Sequence, residues 1–67
     1  MTYLAVNKNG EELVSNFEFT REENEWSSVF EGCDGNYWPA GTTLPAGSIK
    51  KLIGKELTWT DEPFEII

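Results

Sequence analysis

The chain is predicted to fold as a small α+β, β-rich domain: a twisted antiparallel sheet of about four or five strands with one short helix packed on it. Three observations carry this. Asn9-Gly10 and Asp34-Gly35 are tight-turn pairs set between short runs rich in β-branched and aromatic residues. Residues 11–20 alternate apolar and polar side chains, as a half-buried strand does. A single apolar stripe at helical spacing, Ile49, Leu52 and Ile53, starts after Ser48 and stops at Gly54.

The elements follow in order. Residues 3–6 read as a strand, and 7–10 as a hairpin turn in which Asn-Gly supplies the left-handed positions. Residues 11–20 form the second strand. Leu13, Phe17 and Phe19 lie on its inner face with Ser15 between them, and Glu12, Asn16, Glu18 and Thr20 on its outer face, interrupted by Val14. Arg21–Glu25 is a polar connection, Trp26–Glu31 a third strand, and Gly32–Asn36 a loop from which Tyr37-Trp38 pairs back. Pro39-Ala40-Gly41-Thr42 and Pro45-Ala46-Gly47-Ser48 read as two turns led by proline and closed by glycine. Ser48 is the expected N-cap of the helix, and Gly54 the left-handed residue that ends it. Leu57–Thr60 alternates as a strand, residues 61–63 turn, and Phe64–Ile67 is a last strand. The expected core is Leu4, Val6, Leu13, Phe17, Phe19, Trp26, Phe30, Leu44, Ile49, Leu52, Ile53, Leu57, Trp59, Phe64 and Ile66. No linker or low-complexity stretch divides the chain, so residues 1–67 are expected to form one domain.

A core this small has to hold by packing. Cys33 is the only cysteine and there is no histidine, so neither an intrachain disulfide nor a structural zinc site is available to the sequence. The nine aromatic residues supply large apolar areas instead. Net charge is −7, and residues 1–47 carry −6 of it. That balance disfavours direct binding to nucleic-acid phosphates and to anionic membrane surfaces, and it would steer a basic partner toward the chain. Its plainest role is to keep an aromatic-rich protein in solution. Residues 1–10 lack a signal-peptide pattern, and no apolar run approaches a membrane span. The cytoplasm is the expected compartment.

The C-terminal third carries a resemblance. Leu44-Pro45, Gly47-Ser48-Ile49, Lys51-Leu52-Ile53-Gly54-Lys55, Leu57-Thr58-Trp59 and Asp61-Glu62-Pro63 together resemble a segment of short proteins encoded in bacteriophage and prophage genomes of gut bacteria. The segment covers 20 of the 67 residues. The resemblance implies a phage or prophage setting in a bacterial host cell. It supplies no active site, because the group has no defined activity.

Reactive chemistry is scarce. Cys33 has no imidazole to activate it, and Glu31 and Asp34 nearby raise rather than lower a thiol pKa. Serine triads lack their general base. Twelve carboxylates guarantee some close pair by chance, but acid–base work needs a cleft that desolvates one of them, and a chain this short is expected to have little room for one. Asp34-Gly35-Asn36 opens like a calcium loop, but Trp38 stands at the next ligand position and the required glycine and closing glutamate are missing. No phosphate-binding glycine loop is present. Catalytic, cofactor and metal sites are therefore all expected to be absent.

Tyr37 and Trp38 are expected to form a lid over the core; the alternative is an exposed anchor of the kind that dominates binding hot spots. As an anchor they are the leading candidate contact, with Glu22, Glu23 and Glu25 as candidate partner-binding acids. The expected function is a non-enzymatic interaction module that binds a protein, basic partners being favoured, as a monomer or weak homodimer. The rival reading is mimicry of nucleic acid, with the acids of 11–34 filling the basic groove of a DNA-binding protein. An enzyme or small-ligand binder ranks third.

Overall fold

Pairing begins locally. The computed structural model, which describes residues 1–66, places β1 at Thr2–Val6 and β2 at Glu12–Ser15 in antiparallel register, Leu4 opposite Val14 and Ala5 opposite Leu13. The turn between them closes as expected, with Gly10 at φ 91° and Glu11 N–H held by Asn9 Oδ1 at 2.9 Å. β3 (Thr20–Arg21) pairs with β4 (Trp26–Ser27), and β5 (Val29–Glu31) with β6 (Tyr37–Pro39). β7 (Thr42–Leu44), α1 (Ser48–Ile53) and β8 (Phe64–Ile66) complete the chain. The main sheet is four-stranded in the order β7-β2-β1-β8, all neighbours antiparallel. This is the α+β, β-rich fold with one short helix that the sequence predicts. Two further two-stranded sheets stand beside the main one.

The main sheet is covered on both faces. Because side chains alternate along a strand, Leu4, Val6 and Val14 share one face with Leu44, Phe64 and Ile66. Ile49 and Ile53 of the helix and Leu57 after it pack there, and Leu4 and Ile49 are fully buried. Ala5 and Leu13 face the other way, where Trp26, Phe19 and Trp59 cover them. Val14, which interrupts the expected polar face of residues 11–20, is thus an inward residue of the helix-side layer.

Several expectations are corrected. Residues 11–20 are not one strand: β2 ends at Ser15, whose Oγ accepts Phe17 N–H at 3.0 Å and turns the chain. Phe17 is thereby released from the core and stands 46% exposed. Arg21 and Trp26 pair, so the connection Arg21–Glu25 tightens into a hairpin turn with Glu22 N–H on Glu25 O at 2.8 Å. Trp26–Glu31 splits at Ser28, a buried hydroxyl that donates to Phe17 O at 3.0 Å. With that hydrogen spent, Ser15 is the donor in the 2.8 Å bond between the two hydroxyls.

Pro39 and Thr42 lie in strands on either side of Ala40-Gly41 instead of closing a turn. The second expected turn is real, with Gly47 at φ 87°. Gly47, not Ser48, is the N-cap, and Ser48 donates its hydroxyl to Pro45 O at 2.6 Å. Gly54 ends the helix in the left-handed region, as expected. Leu52 is 59% exposed, because a helix of about one and a half turns can press only one or two side chains onto the sheet. Leu57–Thr60 is not a strand: Asp61 N–H bonds to Thr58 O at 3.0 Å, and Asp61 Oδ2 accepts Thr58 N–H at 2.8 Å. The expected last strand is present over Phe64–Ile66, and Ile67 lies outside the described residues.

Glu12 shows what positions the helix. It lies on the helix side of β2, opposite Leu44. Its carboxylate accepts Gly47 N–H at 2.7 Å and Ile49 N–H at 2.8 Å. The helix has no capping side chain of its own, so a strand residue far away in sequence satisfies its first amides.

Candidate functional site

The strands of the β5–β6 hairpin are exposed at every position except Phe30. Its register sets Phe30 opposite Trp38 on one face and Glu31 opposite Tyr37 on the other. An isolated two-stranded hairpin is marginal in water, and side chains of its neighbours tie this one to the rest. Phe30 stacks on Phe17 with ring centroids 5.6 Å apart. Ala40 N–H extends the hairpin's own ladder to Ser28 O at 2.8 Å. The Ser15–Ser28 hydroxyl pair and Phe17 O fix the base.

Tyr37 is 68% exposed and Trp38 49%. The lid role is therefore corrected: both side chains stand in solvent on opposite faces of the hairpin, Tyr37 on the face of exposed Val29 and Trp38 on the face of Phe30. Each leaves a large aromatic surface in water.

The loop at the hairpin's end is ordered by its own polar groups. Gly32 N–H bonds to Asn36 O at 2.8 Å, and Gly35, at φ 81°, donates to Gly32 O at 3.0 Å. Asp34 Oδ1 accepts Asn36 N–H at 3.0 Å and sits 3.5 Å from Trp38 Nε1, while Oδ2 accepts Asn36 Nδ2 at 3.3 Å. The Asn36 amides, first among these donors, hold the Asp34 carboxyl below the usual aspartate range, so it is fully charged at neutral pH. Cys33 is exposed in the same loop.

Gly32 determines where the indole lies. A Cβ built there would meet Trp38 Nε1 at 2.7 Å and Cδ1 at 2.9 Å. Gly32→Ala is thus expected to expel the indole from its seat. The protein's tryptophan emission should shift to the red and the Trp38 indole N–H resonance should move, while the free energy of unfolding in urea changes by less than about 0.5 kcal/mol, as it does for surface changes. An unmoved indole resonance would mean that the ring does not rest on this glycine.

The candidate acids Glu22, Glu23 and Glu25 are all exposed in the β3–β4 turn. They belong to a different hairpin from Tyr37 and Trp38, so the two parts of the sequence-predicted contact are carried by separate elements. Between that turn and the sheet, Arg21 lies over two indoles, 4.3 Å from the Trp26 ring centroid and 4.6 Å from that of Trp59, and donates to Trp59 O at 2.8 Å. Asn7, buried beneath, accepts Trp26 N–H at 2.8 Å.

A groove does exist, where little room for one was expected. It has a volume of about 460 Å³ and runs beside the helix, with Val6, Lys8, Glu12, Lys50, Glu56 and Trp59 among its walls. Both Glu12 oxygens are already taken by the helix amides. Glu56 is then the one carboxylate in its lining without those bonds, which is short of the pair that glycoside hydrolysis uses. Among the described residues, no three Cys, Asp or Glu side chains come together as a cation site, and no helix is long and apolar enough to cross a membrane.

Sequence reasoning named Tyr37 and Trp38 but missed Gly32, Phe17 and Val29. The Ser15-Asn16 step, where turn-forming residues interrupt the alternation, is the signal that could have flagged Phe17. Comparison with known proteins finds no match to a family model, to a curated protein or to a solved structure.

Proposed function

We propose that this chain is a non-enzymatic protein-binding module whose contact surface is the β5–β6 hairpin, acting as a phage or prophage accessory protein in the cytoplasm of a bacterial host. The exposure of Tyr37 and Trp38, one on each face of a single two-stranded hairpin, carries the reading. Aromatic anchors of this kind supply most of the energy of protein interfaces, and their rigid side chains lose little entropy on binding. Covering Trp38 on one face, or Tyr37 with Val29 on the other, would take large apolar groups out of water.

Mimicry of nucleic acid draws less support. It needs the acids of residues 11–34 as one free stripe, and Glu12 is committed to the helix while Glu22, Glu23 and Glu25 sit on another hairpin.

Affinity capture from host lysate tests the choice. The parent chain is expected to retain a protein that the Tyr37→Ala/Trp38→Ala variant loses and the Glu22→Gln/Glu23→Gln/Glu25→Gln variant keeps, with little change between low and high salt. The opposite pattern, loss with the glutamine variant and collapse at high salt, would replace this reading with mimicry.

A further inference from the structure

We infer that the Trp38 face of the β5–β6 hairpin takes an arginine side chain from an exposed segment of the partner protein, the guanidinium lying on the indole with Asp34 as its counter-ion. The inference rests on the hairpin being the contact surface and adds the chemistry of what it holds.

Charge complementarity selects the occupant. From residue 22 to residue 49 the chain has five carboxylates, Glu22, Glu23, Glu25, Glu31 and Asp34, and no lysine or arginine. The hairpin and its flanks therefore present anions and aromatic rings with no cation of their own. An apolar partner would bury Asp34 without compensation, and a buried unpaired carboxylate is strongly unfavourable. An acidic partner would be repelled. A cation satisfies both the ring and the carboxylate.

The local geometry favours arginine over lysine. The pyrrole side of the indole is held against Gly32 and Asp34, so the half-exposed remainder of the ring is offered in a fixed position. Preorganisation of this kind lowers the entropy lost on binding. Asp34 Oδ1 already has Asn36 N–H and the indole N–H, whereas Oδ2 has only the Asn36 side-chain amide. Oδ2 thus keeps room for one more donor beside the ring. A guanidinium is planar, stacks on an aromatic face and still directs N–H groups sideways to a carboxylate. The chain applies the same chemistry internally, where Arg21 lies over the Trp26 and Trp59 rings and donates to a carbonyl oxygen at their edge.

The test is a titration of the intact protein with an acetylated, amidated tetra-arginine peptide, followed through the three tryptophan indole N–H resonances. The Trp38 resonance is expected to shift most. Trp38→Leu keeps an apolar side chain but removes the ring, and it should weaken binding about fivefold or more. Asp34→Asn should weaken it by a similar factor. Glu23→Gln removes the same unit of charge from the other hairpin and should leave affinity within about twofold. A tetra-lysine peptide should bind less tightly. Equal weakening by Asp34→Asn and Glu23→Gln, or tight binding that survives Trp38→Leu, would overturn the inference in favour of diffuse attraction to a negative protein. If the peptide fails to move the Trp38 resonance while the Tyr37→Ala/Trp38→Ala variant still loses its captured protein, the inference falls and the hairpin remains the contact surface.

Discussion

Trp26→Ala is expected to unfold most of the protein at 25 °C. Trp26 is only 6% exposed and forms the second core with Ala5 and Leu13, against Phe19 and Trp59. Its ring meets Trp59 edge-on at a centroid distance of 5.9 Å, and Arg21 covers it. Truncating a buried tryptophan to alanine costs about 3–5 kcal/mol. A domain of this size, without a disulfide, has a total stability of about the same amount. The loss also spreads, because Arg21 then has one ring in place of two, and the segment around Trp59 loses its packing partner.

Urea titration followed by circular dichroism measures the effect. The control is Trp38→Ala, which deletes the same side chain from an exposed site and should shift stability by less than about 0.5 kcal/mol. Comparable midpoints for the two variants would contradict the assignment of Trp26 to the core. Trp26→Phe should fall between them. It loses volume, but it also removes a buried indole N–H that has no acceptor among the described residues.

Glu12→Ala is expected to destabilise the protein by about 2 kcal/mol, the upper end for a lost cap. The position is a strand residue that acts as a helix residue. A six-residue helix is far below the length at which helices form unaided. Its Gly47 and Ile49 amides depend on one carboxylate, and hydrogen bonds to charged groups contribute about 1.5–3 kcal/mol each when well shielded. Partial exposure of Glu12 reduces that figure. Glu12→Gln keeps one acceptor oxygen and should retain about half of the effect. Amide hydrogen exchange reads the cap directly: the Gly47 and Ile49 amides should exchange faster in Glu12→Ala. Unchanged exchange at both would show that the carboxylate does not hold them.

Much of the fold was legible because its signals are local. The Asn9-Gly10 and Asp34-Gly35 turns, the helix stop at Gly54 and the β1–β2 pairing each depend on a few adjacent residues whose backbone preferences agree. The errors fall where a distant group outweighs local preference. Residues 11–20 alternate well enough to be one strand, but the Ser15 and Ser28 hydroxyls capture the backbone at Phe17 and break it. Ser48 has good capping chemistry, and Glu12 from another element does the capping instead. Leu57–Thr60 is the exception: it has strand periodicity, and a near neighbour, the Asp61 carboxylate, draws it into a turn.

The candidate site divides the same way. Tyr37 and Trp38 stand out by composition and by their place beside a turn. Whether they cover the core or face solvent depends on how the Phe17–Phe30 stack sets the hairpin and on where Gly32 lets the Trp38 indole rest.

By itself the sequence determined the class of the fold, the position of the main turns and the shortage of reactive groups. These follow from residue chemistry and near-neighbour spacing. Only the tertiary structure decided that the sheet is covered on both faces, that Glu12 serves the helix, and that the aromatic hairpin stands in water. Each of these depends on groups far apart along the chain, whose meeting is fixed by packing and not by local preference.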